Sequence, residues 1–190
     1  MQNIFRSTAL SLLFSTALSS VAFAQVGTTI DGSQATVTIN NASGTGNNAG
    51  VLFNTNDTPV DVTITGTVTG GGDESGIDLV TNEDNNVTLT IDTGAVVNGG
   101  AVSPGTSGLL QNGILGYGND NLTLTIDGTV NGGDGLNGAD DVSSPGYGSD
   151  GGNGVYFLSG VGGNFVVNGT INAGNGGDGG AYTGVSGAGR

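Results

Sequence analysis

The clearest pattern along the chain is an alternation of apolar and polar residues at period two. Val60/Val62/Ile64, Val87/Leu89/Ile91 and Leu122/Leu124/Ile126 each alternate with Asp or Thr. That period places one set of side chains on a single face and predicts half-buried strands. The intervening threonines are β-branched and suit the exposed face. No segment beyond the first two dozen residues shows helical periodicity.

The strands recur within a larger unit. In outline it reads Gly-apolar-x-apolar, a polar turn, apolar-x-apolar-x-apolar, a Gly corner, Thr-Val and a Gly-rich loop. Its leading glycines are Gly50, Gly76, Gly113 and Gly154, so the unit lengthens from 26 to 37 to 41 residues. A partial copy precedes them at Ala35–Asn40. The extra residues enter the last loop, the one edge where a solenoid admits insertions without disturbing its strands.

Two architectures fit this unit. In a right-handed parallel β-helix each unit is one coil. Leu124, Ile126 and Val130 then stack over Leu89, Ile91 and Val96, and under Phe165, Val167 and Ile171. Alternatively, Asp127-Gly128 and Asn168-Gly169 are type I′ turns of antiparallel hairpins. The equivalent corners speak against hairpins, because Asp92-Thr93-Gly94 inserts a residue that breaks register and Thr65-Gly66 makes a poor I′ turn. The expectation is therefore an all-β parallel β-helix with Gly-rich loop insertions, an ordered core and mobile loops.

Export is the second expectation. Arg6 and the apolar run Ala9–Leu18 precede Ala22-Phe23-Ala24, a small-x-small site before Gln25. The run is too short to span a membrane, and the whole reads as a cleaved signal helix. No glycine precedes Gln25, and all 40 follow it. The predicted organisation is a signal peptide at 1–24, a lead-in at 25–34, repeats at 35–174 and a Gly-rich tail at 175–190.

Composition then removes function classes. The chain has no Cys or His, and past Gln25 it keeps all 16 acidic residues and one basic residue, Arg190. The resulting side-chain charge of −15 excludes phosphate neutralisation, so no nucleic acid is expected as a partner. Cys, His and Ser-His-Asp chemistry lack their residues, as does an ordinary transition-metal site. No enzyme activity is expected.

Calcium is the one cofactor that the oxygen-rich side chains admit. The weak candidates are Asp134, Asp140, Asp141 and Asp178, in Gly-Gly-Asp-Gly contexts that lack the nine-residue period of calcium-binding β-rolls. The bland reading is solvated loop carboxylates. Asp92, Asp127 and Asn168 share one corner and read as a structural polar ladder to backbone N–H groups, in preference to paired glycosidase carboxylates. Asn86-Val87-Thr88 matches a glycosylation pattern by chance, and Tyr117, Tyr147, Tyr156 and Tyr182 define no patch.

With its signal peptide, acidic cysteine-free repeats and runs such as Asn121-Leu122-Thr123-Leu124-Thr125-Ile126-Asp127-Gly128-Thr129-Val130, the chain resembles the passenger region of bacterial autotransporters. These are type V secreted proteins of Gram-negative bacteria. The resemblance spans roughly residues 35–175. It implies a β-helix displayed outside the cell and a C-terminal outer-membrane translocator barrel.

No barrel follows the repeats before Arg190. The expectation is a fragment or truncated product, exported across the inner membrane. It would reach the cell surface when full-length and remain periplasmic when it stands alone. The function expected is structural or adhesive, toward a host or cell-surface ligand. The alternatives are a calcium-binding secreted solenoid and the remnant of a secreted carbohydrate-active enzyme.

Overall fold

A computed structural model describes residues 27–55, 59–80, 86–101, 111–118, 121–140, 146–158 and 160–181. The predicted signal segment, 1–24, lies outside the described residues. Among those residues the fold is all-β, with no helix.

In chain order the strands are β1 (Thr28–Ile30), β2 (Thr36–Ser43), β3 (Val51–Phe53), β4 (Val60–Thr69), β5 (Ile77–Val80) and β6 (Asn86–Ile91). They continue with β7 (Val96–Asn98), β8 (Ile114–Tyr117), β9 (Asn121–Ile126), β10 (Thr129–Asn131), β11 (Val155–Phe157), β12 (Gly163–Val167) and β13 (Thr170–Asn172). Every pairing among them is parallel.

Five strands form one sheet in the order β1-β3-β5-β8-β11. The second sheet has eight strands in the order β12-β9-β6-β4-β7-β10-β13, with β2 also on β4. Strand β4 belongs to two ladders, because Val60–Ile64 pairs with β6 and Thr67–Thr69 pairs with β7. The chain therefore contributes to three ladders in turn before it returns to the first.

The alternating residues face one another across these ladders. Val62, Leu89, Leu124 and Phe165 are register partners, as are Ile64, Ile91, Ile126 and Val167. Val51, Val62, Ile64, Ile77, Leu89, Ile91, Ile114, Leu122 and Ile126 are buried in one continuous core. Stacking like side chains on like is how a narrow core gains apolar contact without disulfides.

One register expectation needs correction. Val130 stands over Val97, and Val96 pairs with Thr129. Asp92 through Val96 separates the buried Ile91 from Val97, whereas Asp127 through Thr129 separates Ile126 from Val130. The corner thus gains two residues. An even insertion preserves the alternation, so Val97 points inward and Val96 is only half-buried.

The hairpin alternative is contradicted directly. β9 pairs with β6 and β12, β10 pairs with β7 and β13, and neither pairs with the other. The type I′ turn also needs φ > 0 at both central residues. Of the residues at these corners only Gly94, at 84°, has positive φ, and Asp127 and Gly128 do not. The lead-in, for its part, contains β1, which pairs with β3.

The described parts of the Gly-rich loops are hydrogen-bonded to one another. Runs 132–140, 146–154 and 172–181 contain no strand after Asn172, yet they bond to one another every third residue. Gly135 and Gly138 donate N–H to the carbonyls of Asn175 and Asp178 (2.7 and 2.8 Å). Gly174, Gly177 and Gly180 donate to Gly152, Ser149 and Gly146, each at 2.8 Å. Ser149 and Gly152 donate in turn to Leu136 and Gly133 (3.0 and 2.8 Å).

A three-residue interval is that of polyproline II, whose backbone makes no internal hydrogen bonds and is free to bond neighbours. Close approach explains the glycines at that interval. A Cβ at Gly138 would strike the carbonyl oxygen of Gly146, and one at Gly177 would strike that of Leu136. The described parts of these loops thus form a hydrogen-bonded lobe beside the strands.

Candidate functional site

A concave surface lies where the third ladder enters this lobe. It is a groove of ≈ 470 Å³ lined by Asn98, Gly99, Ala101, Asn131, Gly132, Gly133, Asp134, Asn172, Ala173 and Asn175. Asn98, Asn131 and Asn172 end β7, β10 and β13 and are register partners. Parallel pairing brings the three amides into line.

Those amides form a ladder. Asn131 donates from Nδ2 to Oδ1 of Asn98 at 2.8 Å, and Asn172 donates likewise to Asn131 at 2.8 Å. Three residues further on, Asn175 donates both its backbone N–H (2.7 Å) and Nδ2 (3.1 Å) to Oδ1 of Asp134. The groove therefore presents amide and carboxylate oxygens at the strand spacing of about 4.8 Å. Such a surface can bond polar ligands.

The predicted metal candidates are dispersed along the lobe. Asp134 sits in the groove and accepts from Asn175. Asp140 accepts from the backbone N–H of Ala181, and the Asp178 backbone N–H donates to Asn137 Oδ1 (2.8 Å). Asp141 lies outside the described residues. Among the described residues, no three His, Cys, Asp or Glu side chains gather in a metal-holding group.

Of the corner residues, Asp92 bonds a backbone N–H as expected, while Asp127 and Asn168 bond each other side chain to side chain. Asn168 donates from Nδ2 to Asp127 Oδ1 at 2.8 Å. The corner N–H groups use carbonyls of the rung below instead. Asp127 and Gly128 both donate to Ile91, and Asn168 and Gly169 both donate to Ile126. Asp92 accepts on Oδ1 from the N–H of Thr93 (2.9 Å), which closes its own longer corner.

Glu74 and Asp31 are perturbed carboxylates, and the Glu74 carbonyl accepts from Gly100 beside the groove (2.8 Å). Burial, and then the adjacent Asp73 charge, holds Glu74 above the ordinary glutamate value. Hydrogen bonds from the side chain and backbone of Ser33 hold Asp31 below the ordinary aspartate value. The tyrosines are distributed. Tyr117 ends β8, Tyr147 is in the lobe and almost fully exposed, Tyr156 is on β11, and Tyr182 lies outside the described residues. Asn86 opens β6, and Val87 beside it is buried.

The asparagine ladder was missed in the sequence, although its signal is present: Asn precedes Gly-Gly or Ala-Gly at positions 98, 131 and 172. No protein-family model matches the chain, and no curated protein or solved structure matches it at a significant level.

Proposed function

We propose that this chain is the repeat region of an exported structural or adhesive protein. In this reading it is a right-handed parallel β-helix that resembles an autotransporter passenger and carries out no catalysis. The observation that carries it is the register of the three parallel ladders, each extended by a strand from every successive repeat. Parallel strands joined by crossovers are right-handed in about 98% of cases, which supports the handedness.

Export is supported by the expected signal peptide, and surface display of the full-length protein by the autotransporter resemblance and a cysteine-free design that derives its stability from stacking. The amide-lined groove beside the Gly-rich lobe, rich in hydrogen-bonding groups, supports an adhesive face. The translocator barrel and the host or cell-surface ligand belong to this same reading.

Expression of the full chain in a Gram-negative host tests export. The account predicts a periplasmic product whose N-terminus is Gln25. A cytoplasmic product that retains Met1 contradicts it.

A further inference from the structure

We infer that Asp73, Glu74 and Gln111 form a calcium site, in which both carboxylates and the Gln111 amide oxygen coordinate one ion. The site is independent of the proposed display at a surface. It shares no residue with the loop candidates Asp134, Asp140, Asp141 and Asp178.

Stacking of the rungs brings the three side chains together. Ile77 and Ile114 are register partners on β5 and β8. Glu74 and Gln111 each stand three residues before them, and the backbone keeps the two equivalent. The Glu74 carbonyl accepts from Gly100 (2.8 Å), and the Gln111 carbonyl accepts from Gly133 (2.7 Å). Gln111 therefore occupies, one rung on, the place that Glu74 occupies. Its Nε2 donates to Asp73 Oδ1 at 3.2 Å, which holds the amide against the acidic pair.

The other end of that amide points to an ion. Gln111 is 1% exposed, and its Oε1 is buried without a hydrogen-bond partner. A buried acceptor in that state is costly and rare. Asp73 and Glu74, half-buried beside it, are acceptors too when ionised, so neither supplies the missing donor. The pair is itself strained, since burial and then the Asp73 charge disfavour an ionised Glu74. Among the described residues there is no basic side chain to answer it. One cation held between the carboxylates and Oε1 satisfies the acceptor and neutralises the pair together.

Donors that are all oxygen select a hard cation. Calcium takes carboxylate and amide oxygens in flexible geometry, with water completing a shell of about six to eight, whereas magnesium demands a near-ideal octahedron. With only two carboxylates, the expected Kd is about 10⁻⁴–10⁻³ M, the range of extracellular calcium modules. Half-burial of both carboxylates leaves the ion a path from solvent.

Calorimetric titration of calcium chloride into the full chain tests the site, together with thermal unfolding in calcium and in chelator. One ion per chain is expected. At about 10 mM calcium the folded-to-unfolded ratio rises about 10- to 100-fold over that Kd range. D73N and E74Q each weaken binding at least about 10-fold, because affinity follows the charge of the ligands. Asn tolerates the positive φ of Asp73 (60°), and E74Q removes a charge that burial disfavours, so both variants keep the fold. In chelator at pH 7 E74Q is the more stable chain, and calcium then stabilises wild type more than it stabilises E74Q.

A wild-type midpoint that calcium leaves unchanged overturns the site, as does an equal rise in magnesium at the same concentration. A calcium gain that D73N and E74Q keep in full also overturns it, and places the ion elsewhere in the chain. Should D73N fail to fold, E74Q decides the matter.

Discussion

Asn172 donates to Asn131 across 2.8 Å although 41 residues of chain separate them. The same 41-residue offset links Asn153 to Asn112, Asn168 to Asp127 and Asn175 to Asp134. Strands, corner and lobe therefore keep one common register over the last two rungs. Asn131 is the middle amide of its ladder and bonds on both sides. N131A is expected to cost about 1–3 kcal/mol in urea unfolding, because partners in a half-buried row lose their bonds. N172A, at the exposed end with one such bond, is expected to cost about 0.5–1 kcal/mol.

The core gives a contrast between two residues in one ladder. Ile126 is fully buried and Val167, its register partner, is half exposed. I126A is expected to destabilise by about 2–5 kcal/mol, through lost burial and the cavity it leaves. V167A removes side-chain atoms that are already largely in water and is expected to stay within about 1 kcal/mol. Thermal or urea unfolding checks both.

Glycines of the lobe divide in the same way. G177A forces a methyl group into the Leu136 carbonyl, while at Gly179 nothing lies within 4 Å of the added atom. G177A is expected to cost about 1–3 kcal/mol and to speed amide exchange at Gly135, Gly138 and Gly180. G179A should change stability by no more than about 0.5 kcal/mol. Equal effects of the two substitutions would contradict the three-residue packing.

Glu74 gives stability a pH dependence of definite sign. Its carboxyl is held above the ordinary 4.5, so the folded chain binds that proton more tightly than the unfolded chain. Its contribution therefore rises as pH falls through the folded value and levels off below 4.5. Asp31 acts oppositely, its contribution being lost as pH falls through a folded value below 3.8. E74Q is expected to be more stable than wild type at pH 7, with the difference shrinking toward pH 4; unfolding midpoints across that range check it.

Much of this fold was legible in the chain. Alternation at Val60–Ile64, Val87–Ile91 and Leu122–Ile126 located the strands, and their spacing brought Leu89 under Leu124 and Ile91 under Ile126. β1 was not legible, since three residues are too few to show a period, and only pairing with Val51–Phe53 defines it. Val96 was aligned wrongly because the Asp92 corner gains two residues, and an even shift leaves the apolar pattern unchanged. The lobe was hidden by composition. Gly132, Gly135 and Gly138 carry its three-residue period, but bonds between distant backbone segments leave little other trace in side-chain chemistry. The amide ladder suffered similarly, as one Asn per repeat gains meaning only once the repeats are in register.

The parallel register is the central claim, and a cysteine-free chain allows it to be tested cleanly. Thr125 and Val166 are register partners on adjacent rungs, and neither is in the buried core. Parallel neighbours lie about 4.8 Å apart, within the Cα separation a disulfide spans. Under mild oxidation at low concentration, T125C/V166C is expected to form an intramolecular disulfide in nearly every molecule. A folded chain that stays reduced, or that links only between molecules, would contradict the account.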